Sequence, residues 1–338
     1  MGTKEKVLQA LLQSFNSSVS GQELAQQCNV TRAAIWKAVS TLREEGCQIE
    51  GTTNGGYILT QKPDLFTPQA FIEQFSKDFP EYKNIYIECF KQIDSTNTYA
   101  KKLLSNQTTE TNYAPGVIVA ETQTQGRGRL GRTFVSPYKS GIYISIIYSP
   151  KGGITNPAII TASSAVAVCR SIKKLFGITS DIKWINDIFI NKKKVCGILT
   201  EGFTNFETGT IDSAIIGIGV NISQNTKDFS PELLSIVGSI QKETSVSRVE
   251  LASQIAGQVL SILQEDSKSV IQEYKSMSFL IGKEVLVHPV IDQESSDYTA
   301  KVVDINSDAS LVVSLPDGTR RILNSGEVSL KSDFFAKN

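Results

Sequence analysis

The sequence predicts a multidomain chain that mixes helices and strands: a helical unit ending in a hairpin over residues 1–64, an α+β domain with a mixed sheet over 65–277, and a small all-β unit over 278–338. Three observations predict it. Apolar residues recur at helical spacing near the N-terminus and give way to the tip Thr52-Thr53-Asn54-Gly55-Gly56, whose chemistry allows positive φ. The middle of the chain interleaves apolar strand-like runs with capped helical stretches. From about Ile281 the pattern becomes short alternating strands broken by Asp, Ser and Gly turns, including Pro316-Asp317-Gly318.

In the first unit, Val7, Leu8, Leu11, Leu12 and Phe15 give one apolar helical face. Ser20-Gly21-Gln22-Glu23 is a capping box that opens a second helix, because each side chain can satisfy a free backbone amide. Thr31 caps a third helix, which buries Ile35, Val39 and Leu42 and stops at Gly46. Ile49 to Leu59 forms the hairpin. Helix, turn, capped helix and wing make a winged helix-turn-helix, whose third helix would present Thr31, Arg32, Ala33, Trp36 and Lys37 to the major groove of DNA. The alternative is a small protein-binding domain with Trp36 packed under the wing. Residues 1–62 carry six basic against five acidic side chains, a net of one positive charge. One copy would grip phosphates weakly, so operator binding requires a dimer spanning two half-sites.

In the central domain, strands are predicted over Ile85-Phe90, Gly116-Glu121, Gly141-Tyr148, Asp181-Trp184, Ile188-Ile190, Val195-Gly202 and Ile211-Val220. Helices are predicted over Thr96-Ser105 with Ser95 as cap, and from Pro157 to Phe176 between Asn156 and Gly177. Another opens at Ser247-x-x-Glu250 and carries Leu251, Ile255, Val259 and Ile262 on one side. The last unit, with strands over Lys283-His288, Thr299-Ile305, Ser310-Leu315 and Arg320-Leu323, reads as a small SH3-like β-barrel.

Bulk properties narrow the function. The 338 residues are 40% hydrophobic with zero formal net charge, so nucleic-acid binding has to come from a local surface. Neither an N-terminal signal nor a membrane-spanning apolar run is evident. Cys28, Cys47, Cys89, Cys169 and Cys196 are odd in number and unpaired in spacing, which suits a reduced cytoplasmic interior and no thiolate metal site. His288 is the sole histidine and reads as structural; a histidine-dependent triad or a multi-histidine metal centre is hard to build.

The most informative segment is Gln123-Thr124-Gln125-Gly126-Arg127-Gly128-Arg129-Leu130-Gly131-Arg132. Three glycines let the backbone approach a ligand while three guanidinium groups converge on an anion. Gly126-x-Gly128-x-x-Gly131 spells a dinucleotide fingerprint, but a strand-like run follows instead of a helix, so that reading fails. A solvated basic hairpin is the bland alternative. Four more stretches carry polar chemistry: Asp94-Ser95-Thr96-Asn97, Lys183-Trp184-Ile185-Asn186-Asp187, Lys192-Lys193-Lys194-Val195-Cys196-Gly197-Ile198-Leu199, and Gly217-Ile218-Gly219-Val220-Asn221, whose glycines permit close ligand approach. Each alone could be ordinary turn and core chemistry, and the lysine run could be a solvated hairpin tip.

In this order the segments resemble the biotin protein ligases, and with the N-terminal unit the chain is similar to the bifunctional biotin operon repressors. The resemblance covers essentially the whole length. It implies a flexible arginine–glycine lid over biotin and its adenylate, with Ser95, Thr96, Asn97, Gln123, Gly126, Arg127, Gly128, Arg129, Lys194 and Gly197 lining that site. Arg132, Lys183, Asn186, Asp187 and Asn221 would serve the nucleotide side, and Lys194, Arg127 and Arg129 would be catalytic. No resident metal ligands are assigned; Mg²⁺ would arrive with ATP. The family's usual proline stands as Ile185 here, and Lys331 replaces a frequent arginine, keeping charge without the bidentate fork.

The implied reaction joins biotin and ATP as biotinyl-5′-AMP, then passes biotin to a lysine of a carboxylase biotin carrier domain. The adenylate-bound protein would dimerise and repress biotin genes at operator DNA. A lipoate-type ligase, a ligand-sensing transcription factor without turnover, and a ligase whose winged helix does not bind DNA remain alternatives.

Overall fold

The computed structural model describes residues 2–44, 47–52, 55–61, 66–108, 111–204, 209–223, 229–240, 246–289, 296–324 and 326–330. The chain divides into two compact units, Met1–Leu65 and Phe66–Asn338.

In the first unit, α1 (Thr3–Gln13), α2 (Gly21–Cys28) and α3 (Arg32–Glu44) precede an antiparallel hairpin of β1 (Ile49–Thr52) and β2 (Gly56–Leu59). Val7, Leu11, Leu24, Ile35, Val39, Leu42 and Leu59 fill its core. Leu12, expected on the apolar face, is exposed because it falls off the Val7–Leu11 stripe. The caps form as the residues dictate: Ser20 Oγ accepts the Glu23 amide at 3.1 Å and Thr31 Oγ1 accepts the Ala34 amide at 3.2 Å. Val19 and Tyr57 exchange backbone hydrogen bonds of 3.0 and 2.8 Å, which ties the hairpin to the segment before α2. The expected stop at Gly46 and the tip residues Thr53 and Asn54 lie outside the described residues.

The second unit opens with α4 (Pro68–Asp78), β3 (Tyr86–Phe90), α5 (Thr96–Ser105), β4 (Gly116–Ala120), β5 (Gly141–Tyr148) and α6 (Pro157–Phe176). It continues through β6 (Asp181–Lys183), β7 (Asp187–Ile190), β8 (Lys193–Thr204), β9 (Ile211–Asn221), α7 (Pro231–Ile236), α8 (Arg248–Ile262) and α9 (Ser267–Met277). Its sheet runs β3-β4-β5-β9-β8-β7-β6, with β3 and β4 parallel and every other pair antiparallel. Alternation sorts the strand residues into two faces. Val117, Val119, Ile142, Ile144, Ile146, Ile216 and Ile218 join the core that holds α6 and α8, whereas Ile118, Ile147 and Ile215 pack with Ala100 and Leu104 of α5. The helix punctuation matches the chemistry: Asn156 Oδ1 accepts the Ala158 amide at 2.9 Å, Pro157 sits at the first turn, and Gly177 ends α6 at φ 68°. No helix among the described residues is long and apolar enough to cross a membrane.

The strands β10 (Glu284–His288), β11 (Tyr298–Ile305), β12 (Leu311–Ser314), β13 (Arg320–Leu323) and β14 (Glu327–Leu330) form an antiparallel sheet in the order β13-β12-β11-β10-β14. The expected barrel is an open sheet among the described residues: closure needs its edge strands to pair, and β14 pairs with β10 while β13 pairs only with β12. Arg320, Arg321 and Ile322 on β13 are exposed. Val285, Val287, Val302, Leu311, Val313 and Val328 of this sheet join the core of the central domain. Trp184 Nε1 also donates to the Ala309 carbonyl at 2.8 Å across that junction.

Where β4 ends, Glu121 accepts a 3.0 Å bond from Arg248 at the start of α8, with side chains only 8% and 3% exposed. Removing one partner of a buried pair strands the other charge. Arg248→Met is therefore expected to destabilise the second unit by about 3–5 kcal/mol. The check is denaturant unfolding followed by Trp184 fluorescence in a Trp36→Phe background; a loss under about 1 kcal/mol contradicts a buried charge pair.

Candidate active site

A cleft of about 800 Å³ lies where β8 and β9, the β6–β7 turn, the arginine–glycine segment and β14 converge. Its first wall is neutral and polar. Ser95, Thr96 and Asn97 are buried at the start of α5, with Ser145 buried below them. Ser145 Oγ bonds Thr96 Oγ1 at 2.7 Å and Asn97 Oδ1 at 2.6 Å. The Thr96 amide donates to Gln123 Oε1 at 2.9 Å, and Gln123 Nε2 donates to Ser136 Oγ at 3.0 Å. Burial of so many polar groups is tolerable because they satisfy one another.

Over this wall the arginine segment folds as a tight hairpin. The Gly128 amide donates to the Arg132 carbonyl at 2.7 Å and the Phe134 amide to the Gly126 carbonyl at 2.8 Å. Only a short 3₁₀ turn, Arg129–Gly131, interrupts it, and no α-helix opens there, as a dinucleotide site would require. Gly126 does not line the cleft: a Cβ there would fall 2.3 Å from the Phe134 carbonyl, so this glycine serves the hairpin itself.

The three arginines spread to separate anchors. Arg127 Nη1 pairs with Glu201 at 3.1 Å. Arg129 donates to Asn186 Oδ1 at 3.1 Å and to the Gly326 carbonyl at 3.0 Å. Arg132 meets Glu327 in a fork of two 2.7 Å bonds. That fork holds the Glu327 carboxyl below the usual carboxylate range.

The opposite end is cationic. Lys194 Nζ pairs with Asp187 at 2.7 Å, and burial pushes the Lys183 ammonium down against the pull of Asp187 and Glu327. Lys194 sits at the junction of the two ends: a Cβ at Gly197 would lie 3.3 Å from its Nζ and 3.2 Å from the Phe134 ring. Lys193 turns away, its ammonium on the Leu234 and Ser235 carbonyls that close α7. The lysine run is thus divided between the cleft and a helix end.

Ser95, Thr96, Asn97, Gln123, Arg127, Gly128, Arg129, Arg132, Lys183, Asn186, Asp187, Lys194, Gly197 and Asn221 all line the cleft. Gly217 and Gly219 of β9 line the cleft as well, and neighbouring side chains use the room they leave. The place of a Cβ at Gly217 is taken by the Asn97 amide, 2.3 Å away, and at Gly219 by the Phe134 ring, 2.4 Å away. Ile185 occupies the family's proline position beside a cis Trp184–Ile185 peptide, and its carbonyl accepts the Tyr274 hydroxyl at 3.2 Å. Lys331 lies outside the described residues.

Sequence reasoning missed Glu201, Phe134, Ser145 and the α7 side of the cleft, including Leu233 and Ile236. Two signals were available. Ser145 interrupts an apolar strand, and period-two counting from Gly197 puts Glu201 on the cleft face.

The other predicted surface, in the first unit, leaves Thr31, Arg32, Ala33, Trp36 and Lys37 exposed along the start of α3. Trp36 is 65% exposed, which overturns its packing under the wing.

The Biotin/lipoate A/B protein ligase family matches residues 89–221, and an HTH domain matches residues 3–58. The bifunctional ligase/repressor BirA of Bacillus subtilis is 34% identical over 239 residues, 71% of each chain. The chain belongs to the bifunctional ligase/repressor family of biotin protein ligases. BirA of Escherichia coli is 24% identical over 93% of each chain. A biotin protein ligase from Aquifex aeolicus, in complex with biotin and ATP, shares the fold with a TM-score of 0.58 and 24% identity, over 72% of this ligase and 97% of that chain.

The pH response of the β14 anchor follows from the depressed Glu327 carboxyl. Its contribution to this ligase's stability is complete above its ordinary value of 4.5 and is lost as pH falls from there through the lower folded value. The melting-temperature gap between the wild type and Glu327→Gln should stay constant from pH 7 to about 5 and close in more acid solution. A gap that closes on going up towards pH 7 contradicts the pairing.

Proposed function

We propose that this cleft activates biotin with ATP and transfers it to a biotin carrier domain of a carboxylase. The observation that carries the reading is the cleft's two-ended chemistry. Buried Ser95, Thr96 and Asn97, with half-buried Gln123, offer donors and acceptors to a neutral ring, and Arg129, Arg132, Lys183 and Lys194 line the end that would take an anionic chain. Biotin has that form, a ureido ring system on an acyl chain that ends in a carboxylate.

In the first step a biotin carboxylate oxygen attacks the α-phosphorus of ATP. A carboxylate–phosphate bond forms, the bond to the bridging oxygen breaks, and pyrophosphate leaves with its electron pair. Both reactants are anions, so fixed cations in a poorly solvated cleft lower the barrier. Lys194 lies where the two ends meet and acts on the developing charge, with Arg127 and Arg129 organising the loop over the adenylate. Arg132, Lys183, Asn186, Asp187 and Asn221 serve the nucleotide. A carrier lysine then attacks the acyl carbon of the mixed anhydride, forming the amide and releasing AMP.

No cluster of three or more metal-binding side chains occurs among the described residues. Asp187, the carboxylate paired with Lys194 at the cationic end, fits magnesium carried on ATP, which is held by one or two carboxylates plus phosphate oxygens. Magnesium would supply charge neutralisation there, and Asp187 is the side chain that would hold it.

The exposed start of α3 reads the major groove through Arg32, Trp36 and Lys37, with Thr31 and Ala33 beside the bases. The small positive charge of the first unit calls for two copies on one operator, so adenylate-bound homodimers are the repressing form.

Three outcomes follow. Mass spectrometry of a carrier domain incubated with protein, biotin and Mg-ATP should show one biotinyl increment on a lysine, and Lys194→Ala should slow its appearance by about 100-fold or more. An increment at the wild-type rate in that variant removes Lys194 from the reaction. Gel shifts on operator DNA should tighten when biotin and ATP are added, and equal binding without them would break the coupling to ligand. Above the lowered value of the Lys183 ammonium its charge is lost, so ATP affinity should decline at a lower pH than in Lys183→Arg; identical pH profiles contradict a buried lysine at the nucleotide.

A further inference from the structure

We propose that Glu201 is a positioning residue that latches the arginine–glycine loop to the neutral wall of the cleft, setting how long the adenylate stays enclosed; this rests on the ligase reading above. Glu201 lies on β8, two and four residues beyond Leu199 and Gly197, and so shares their cleft-facing side. Its carboxylate joins two things the reaction needs. One is Asn97, whose Nδ2 donates to Glu201 Oε2 at 2.9 Å while its Oδ1 accepts from Ser145 at 2.6 Å. The other is Arg127, whose Nη1 lies 3.1 Å from Glu201 Oε1. A single side chain therefore spans from the floor of the neutral end to the loop above it.

Gln123 and Gln125 tie the base of the loop to Thr96 and Asp94, and its other two arginines are fastened elsewhere. Arg129 is held by Asn186 and Gly326, and Arg132 by Glu327. Those contacts tie the loop to the β6–β7 turn and β14, whereas Glu201 ties its Arg127 to β8 and α5. With Glu201 uncharged, the loop keeps its nucleotide-side anchors and loosens over the neutral ring.

The strength of the pair suits a latch rather than a brace. Arg127 is 45% exposed and Glu201 17%, so water competes for the contact and its effect on folding is small. A contact of this kind can break and reform each time the loop opens. Lys101, half exposed, stands 4.0 Å from the same Glu201 oxygen and competes weakly with Arg127 for it.

Glu201→Gln isolates this role, because the amide oxygen still accepts from Asn97 while the charge that holds Arg127 is gone. Enzyme loaded with labelled biotin and ATP, without carrier, is chased with excess unlabelled biotin, and escape of the adenylate is followed by trapping with hydroxylamine. Glu201→Gln should release adenylate about three- to five-fold faster than wild type, with its rate of formation within about twofold. Glu201→Asp, which keeps the charge, should recover part of the retention and supplies the comparison if the glutamine variant folds poorly. Arg127→Gln should leak similarly, and the double variant no faster than the worse single one, because both act through one contact. Wild-type retention in Glu201→Gln, or leak rates that multiply in the double variant, would overturn the latch. A wild-type protein that forms no adenylate would instead defeat the ligase reading itself.

Discussion

On the proposed reaction two anions meet in this cleft, and the arrangement of its side chains answers that demand. A carboxylate and a triphosphate repel one another, and water screens the repulsion only while it surrounds them. The protein substitutes fixed cations, yet it does not leave them bare. Arg127, Arg132 and Lys194 each face a carboxylate, Glu201, Glu327 and Asp187. These pairs keep the cleft from being a cluster of like charges, and Glu327 and Asp187 can each yield a partner when a stronger anion arrives. The cations are thereby held in place before the substrates bind, which is what electrostatic preorganisation requires.

The fold serves that pairing through close backbone approach. Strand β9 has glycines at 217 and 219 because Asn97 and Phe134 occupy the space where side chains would otherwise stand. Asn97 thereby reaches both Ser145 on β5 and Glu201 on β8, and Phe134 packs over the sheet between the neutral end and Lys194. The buried Arg248–Glu121 pair fixes the point where β4 hands over to the loop. Its hairpin then carries three arginines to three different anchors, and one of these, β14, comes from the C-terminal sheet. That sheet shares the core of the central domain and contributes directly to the cleft.

The sequence made local chemistry legible and long-range pairing mostly not. Capped helices such as Pro157–Phe176 and Arg248–Ile262 were readable because Asn156, Gly177 and Ser247 announce their ends. Cleft residues grouped in short motifs were readable for the same reason. Glu201 and Phe134 were not, because their roles depend on contacts with Arg127 and Gly219 across the sheet. Barrel closure could not be judged from alternation alone, since that pattern says which residues share a face but not which edges meet. The second role of the lysine run was hidden too: Lys193 and Lys194 are neighbours in sequence, yet one caps α7 and the other faces Asp187.

The chain couples this chemistry to a helix-turn-helix unit with little charge of its own, so ligand turnover and DNA occupancy meet in one polypeptide. The central claim, that the cleft joins a neutral-ringed carboxylate to AMP, is tested most directly by isotope exchange. Labelled pyrophosphate is incubated with the protein and Mg-ATP, alone, with biotin, or with lipoate, and label entering ATP is counted. Exchange that appears only with biotin is the expected result. Exchange that ignores biotin, or that lipoate supports equally, would contradict the account.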